Sequence, residues 1–214
     1  DGAKDAVVAT VAVGTRPWAL GVDADANRIY VANEGSDSVS VIDGASDSVV
    51  ATVAVGNQPM AVAVDPDSHR IYVANVGSDS ISVIDGTKDE VADTLSAGRA
   101  PWAVAVNPNT NRIYVANTES ATVSVINASD GSLAATIPVG DAPRALGINL
   151  ETNRIYVANG FDNTASVIDG ATNTVVATIP VGHMPWAVAV NASTNRVYVA
   201  NSGTNTVSVI QEAD

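Results

Sequence analysis

A chain of 214 residues, 46% of them apolar, is long enough to bury a sizeable core, and length alone admits one domain or two. Ten Lys and Arg against 23 Asp and Glu leave a net charge of −13, which favours solubility and argues against nucleic acid, whose phosphates need a basic surface. No cysteine is present, so disulfides, thiolate metal sites and a cysteine nucleophile are excluded. In chain order, the run "VVATVAV" at 7–13 reads as a strand, and "WALGV" from Trp18 is a short apolar run that reads as another. "RIYVAN" from Arg28, "SVSVID" from Ser38 with its period-two alternation, and "VVATVAV" from Val49 complete a set of four strand signals. The intervening "DADAN", "EGSDS", "DGASD" and "GNQP" are rich in turn formers. The whole unit then recurs. "RIYVAN" returns at Arg70, Arg112 and Arg154, and as "RVYVAN" at Arg196, always 42 residues on.

No segment carries a 3.6-residue period long enough for a helix, and no apolar run reaches the roughly 20 residues a membrane span needs. The chain begins at Asp1, inside the repeat pattern and without an initiating Met or signal peptide, as expected after processing or trimming. Four antiparallel strands in 42 residues make a propeller blade. With "RIYVAN" followed by "SVSVIDG", "VVATVAVG" and then Pro with "AVAVDP", the whole chain resembles the YVTN-repeat β-propellers of bacterial and archaeal surface proteins. The Thr usual in that family is Ala here, at Ala32, Ala74, Ala116, Ala158 and Ala200. The resemblance implies sheets arranged radially and an extracellular, cell-surface or periplasmic location. It implies no single activity.

The expected fold is all-β: a β-propeller of five four-stranded antiparallel blades forming one domain, 1–214. The outer strand at 7–13 is expected to join the last three strands and close the ring, leaving no unprotected edge and a monomer. Five blades of a longer ring are the rival. Tyr30, Tyr72, Tyr114, Tyr156 and Tyr198, one per blade, are expected to pack between sheets with the hydroxyl finding a partner. Gly14, Gly56, Gly98, Gly140 and Gly182 are expected to supply a positive φ, and Pro17 with its four counterparts to fix the approach to the inner strand. Arg28 and its counterparts are expected to pair with carboxylates of the Asp43 type.

Function is sought where the copies differ. Around the fixed proline the loops read "TRPW", "NQPM", "RAPW", "DAPR" and "HMPW", so Trp18, Met60, Trp102, Arg144 and Trp186 share one column at the mouth of the central channel. This end of the propeller is the top. Phe161, the only phenylalanine, lies in another top loop, while most acidic residues fall on the bottom turns and termini. Arg16, Arg99, Arg144 and His183 occupy these proline loops, whose single carboxylate is Asp141. Indoles with guanidinium groups suit a flat or anionic ligand, and the expected partner is a small molecule, glycan or protein bound at the top face. The alternative role for the tryptophans is to cap the cores between blades.

Catalytic signals are sparse. His69 and His183 fall on opposite faces and cannot share a metal, and no metal or cofactor site is expected. "DADAN" resembles the start of a calcium loop but lacks its glycine and distal Glu, and its copies read as turns. An enzymatic reading, as a lyase or hydrolase, rests on His183 and Asp141 alone. Glu34, Asp37, Asp79, Glu119, Asp141 and Asp162 are the top carboxylates from which a glycosidase pair would have to come. "NAS" at Asn127 and Asn191 fits the glycosylation pattern. A third reading is a purely structural surface-layer repeat.

Overall fold

The structure, a computed structural model, describes residues 6–212; the ends of the 1–214 domain, with Asp1, Asp5 and Asp214, lie outside the described residues. Blade 1 consists of β1 (Pro17–Asp23), β2 (Arg28–Asn33), β3 (Ser38–Asp43) and β4 (Ser48–Ala54). Blade 2 is β5 (Pro59–Asp65), β6 (Arg70–Asn75), β7 (Ser80–Asp85) and β8 (Glu90–Ser96). Blade 3 is β9 (Pro101–Asn107), β10 (Arg112–Asn117), β11 (Thr122–Asn127) and β12 (Leu133–Pro138). Blade 4 is β13 (Pro143–Asn149), β14 (Arg154–Asn159), β15 (Thr164–Asp169) and β16 (Thr174–Pro180). Blade 5 has β17 (Pro185–Asn191), β18 (Arg196–Asn201) and β19 (Thr206–Gln211). Each strand pairs antiparallel with its successor in the blade, and the inner strands β1, β5, β9, β13 and β17 pack in sequence.

Strand alternation builds the cores. In "RIYVAN" of blade 2, Ile71 and Val73 face blade 1, and Tyr72 between them faces blade 3. Tyr30, Val39, Val41 and Val53 of blade 1 meet Ile71, Val73 and Ile84 of blade 2, and the same contact recurs at each of the next three junctions. Each fully buried Val or Ile contributes roughly 1.5–3 kcal/mol. Within a blade, the buried Asn closing "RIYVAN" donates from Nδ2 to two hydroxyls of the third strand. Asn117 reaches Thr122 at 3.1 Å and Ser124 at 2.9 Å.

Several expectations are corrected. Five closed blades would bury five junctions, and the described residues form four such cores. β19 pairs with β18 alone, residues 6–13 carry no secondary structure, and β1 does not pack on β17 as successive inner strands pack on each other. Closure by the 7–13 segment is therefore not seen among the described residues. Gly14, Gly56, Gly98, Gly140 and Gly182 do not carry a positive φ; they make room. A Cβ on Gly98 would lie 2.6 Å from Asn117 Cγ. The left-handed residue is instead the one before each proline, Arg16, Gln58, Ala100, Ala142 or Met184, with φ between 51° and 53°. Arg154 does pair with Asp169, at 3.4 Å, but Arg28 crosses to Asp89 of blade 2 rather than to Asp43. Among the described residues the Tyr30 and Tyr114 hydroxyls have no hydrogen-bond partner, and burial pushes the Tyr30 hydroxyl up to about 12.

Candidate functional site

Paired loops present the top of every blade. In blade 4, the Gly160 amide donates to Ala142 O at 2.9 Å and the Phe161 amide to Asp141 O at 3.2 Å, joining the loop before β13 to the loop after β14. The left-handed Ala142 turns the chain so that Arg144, second residue of β13, leaves the strand at the mouth. Gly160 leaves the space for it: a Cβ there would lie 2.9 Å from Arg144 Nε.

Three blades meet around this guanidinium. Arg144 Cζ lies 4.3 Å from the ring centre of Trp186 in blade 5, 5.4 Å from Trp102 in blade 3 and 5.5 Å from Phe161 in its own blade. Trp102 and Trp186 touch edge to face at 6.3 Å, across blade 4. Both stand outside the four cores between blades, and Trp186 keeps 39% of its surface exposed. The ring faces attract the cation by about 0.5–2 kcal/mol each, depending on desolvation. Burial pulls Arg144 below the usual arginine range, yet a guanidinium stays charged at any ordinary pH. Among the described residues no carboxylate pairs with it.

The other residues named from the sequence do not join this cluster. Arg16 pairs with Glu34 at 2.9 Å and Arg99 with Glu119 at 2.7 Å, so both cations are neutralised within their own blades. Trp18 is 52% exposed and makes no aromatic contact among the described residues; Met60 is buried. His183 is exposed, and no hydrogen bond joins it to Asp141 among the described residues. The top carboxylates have structural work. Asp37 accepts from the Gln58 amide at 2.8 Å, Asp79 from the Ala100 amide at 2.8 Å and Asp162 from the Asp141 amide at 2.7 Å. Among the described residues no group of His, Asp and Glu is arranged to hold a metal ion, and no helix is long and apolar enough to cross a membrane. Asp23 of the "DADAN" turn is committed to the Ala26 amide at 3.0 Å and to His69 of blade 2 at 2.8 Å. Sequence reasoning left Phe161 and Gly160 out of the candidate set. The available signal was that the single phenylalanine and its glycine share the blade that carries the one arginine in the tryptophan column.

Radial blades with a variable, aromatic mouth define a β-propeller repeat module. The chain belongs to the YNCE-like β-propeller family, whose model matches residues 1–158, and an NHL repeat matches residues 183–210. The propeller-repeat class expected from the sequence is thus shown, under a family description other than YVTN. No curated protein matches the chain. A functionally unknown protein from Desulfotomaculum acetoxidans DSM 771 is similar in structure, with a TM-score of 0.79 and 16% identity over 92% of this chain and 70% of that one. Kuenenia stuttgartiensis hydrazine synthase is similar with a TM-score of 0.56 and 16% identity, over 97% of this chain and 99% of that one. At this identity both likenesses concern the fold alone.

Proposed function

We propose that this propeller is a non-catalytic binding module of a surface or extracytoplasmic protein. Its top face takes the anionic end of a small molecule, an acidic glycan or a protein side chain through Arg144, Trp102, Trp186 and Phe161. The observation that carries the reading is a guanidinium held among three aromatic rings without a carboxylate of its own. A guanidinium offers the two parallel N–H donors that carboxylates and phosphates accept, and among the described residues no carboxylate takes those of Arg144. A flat or sugar-like body would then lie on the exposed indole of Trp186. The net charge of −13 elsewhere speaks against nucleic acid as the ligand. The surface setting is supported by the YVTN-like repeat pattern, and antibody access on intact cells checks it.

Indole fluorescence reads the site, because two of the three tryptophans are in it. Titration with an aromatic carboxylate and with glucuronate is expected to change the emission, whereas their amides do not. Losing a charged hydrogen-bonding group costs roughly 1.5–3 kcal/mol, so Arg144→Gln should weaken binding about tenfold to hundredfold. Equal titration by acid and amide, or an unaffected Arg144→Gln variant, would overturn the reading.

A further inference from the structure

Among the described residues the outward faces of blades 1 and 5 are exposed at repeat positions that the four junctions cover. Blade 1 presents Leu20 and Val22, 63% and 54% exposed, at the positions where blade 2 presents Val62 and Val64 to its neighbour. Blade 5 presents Val207 and Val209, 58% and 56% exposed, where blade 1 presents Val39 and Val41. Tyr198 is the one repeat tyrosine that is not fully covered.

A second pair of complementary features accompanies the first. β19 has a free edge. Beside it runs a groove of ≈ 320 Å³ whose lining includes Tyr156, Val167, Ile179 and Ile210. One blade earlier, the matching set Tyr114, Val125, Ile137 and Ile168 is packed by Val175 of the outer strand β16. Counted back through the 42-residue period, the counterpart of Val175 is Val7, which is 86% exposed. The segment 7–14 reads "VVATVAVG", identical to 49–56, which contains most of β4. β4 pairs with β3 as Val39↔Val53, Ser40↔Thr52 and Val41↔Ala51. The period transfers that register to Val207 with Val11, Ser208 with Thr10 and Val209 with Ala9.

We propose that the chain assembles head to tail: segment 7–13 of one copy adds to β19 of the next as the fourth strand of blade 5, while blade 1 seats on the open face of that blade. The occupant is a second copy because the segment leads into β1, at the opposite end of the array from β17 and β19. The contact continues an interface already made four times within the chain, and strand addition satisfies the β19 edge with main-chain hydrogen bonds. At the bottom, Asn191 of one copy would meet the Asn27 position of the next, as Asn107 meets Asn153 at 2.9 Å. Two different surfaces meet, so the association is heterologous and gives a ring or an open filament according to its rotation.

The absence of cysteine makes the test unambiguous. Thr10→Cys and Ser208→Cys chains are mixed under mild oxidation, and a covalent Thr10→Cys/Ser208→Cys heterodimer is expected on a non-reducing gel. Sedimentation of the unaltered protein is expected to show a mass rising above one chain with concentration. Val207→Asp, at a side chain already open to solvent, should weaken association roughly tenfold or more while the circular dichroism stays unchanged. Failure of the heterodimer to form overturns the proposal. So does a protein that stays monomeric up to its solubility limit, or a double variant that forms only an intramolecular bridge, the last result showing that the segment closes its own ring.

Discussion

Gly98 sits where the chain passes over the buried amide of Asn117, and its missing side chain is what lets that amide reach Thr122 and Ser124. Its φ is ordinary, so Gly98→Ala acts through space and not through backbone strain. A methyl 2.6 Å from Asn117 Cγ must push the amide off its hydroxyl partners, since Asn117 is fully buried. Overpacking of this kind costs about 1–3 kcal/mol, readable as a lowered urea midpoint at unchanged m-value. An unshifted midpoint would show that the Asn network yields freely. The column of glycines was legible in the sequence, but its reason was not: a repeated Gly announces a constraint without saying whether torsion or crowding imposes it. At the site the same limit holds. Trp102, Trp186 and Arg144 could be picked out by their shared column, whereas Arg16 and Arg99 share the loops and turn out to be paired with Glu34 and Glu119. Only a distance separates a free guanidinium from a neutralised one.

At the scale of the element, the junction between blades 1 and 2 differs from the others in a way that pH can read. Asp23 ends β1, buried, and its carboxylate faces His69 Nδ1 in the turn before β6. At the last two junctions the pair becomes two asparagines, Asn107 with Asn153 and Asn149 with Asn195, and at the second the histidine position holds Asn111 opposite Asp65. Asp23 raises His69 above its ordinary range. Burial alone would raise Asp23, but the Ala26 amide and His69 outweigh it and hold the carboxyl below its usual value. A raised His stabilises fully below its unfolded value and loses that contribution as pH rises through the folded one. A lowered Asp stabilises above its unfolded value and loses that contribution on acidification. The junction is therefore firmest between about pH 4 and 6.5 and loosens as the pH rises through the raised His69 value. The thermal midpoint should be lower at pH 8.5 than at pH 6, and His69→Asn should remove that dependence; a variant with the same slope would place its origin elsewhere. The strands themselves were legible almost to the residue: "RIYVAN" from Arg28 is β2 and "SVSVID" from Ser38 is β3. The failure falls on 7–13, whose sequence is a strand at 49–54 and none at the start of the chain. A strand is a pairing and not a property of its own residues, so identical sequence has different structure where no edge is offered.

Across the whole molecule, stability is distributed along a line. Apart from the Trp102–Trp186 contact, the described packing runs between successive blades, so the free energy is approximately a sum of blade terms and four junction terms. Blades 2, 3 and 4 are covered on both faces, while blades 1 and 5 are covered on one. Opening a terminal blade breaks one junction; opening a middle blade breaks two. Hydrogen exchange followed by mass spectrometry, on the single chain at a concentration below self-association, should therefore show amides of β10 and β14 protected most. Those of β2 and β18 should exchange faster by at least the cost of one junction, several buried Val and Ile side chains at roughly 1.5–3 kcal/mol apiece. The Trp102–Arg144–Trp186 cluster spans blades 3 to 5 and so draws one ring from the well-protected interior and one from a frayed end. Occupying that cluster ties blade 5 to blade 3, and a ligand that binds there should slow exchange in β17 and β18 while leaving β1 and β2 unchanged. Uniform protection across the five blades would refute the linear picture. Slowing at both ends by a top-face ligand would do the same, because it requires blades 1 and 5 to share a junction.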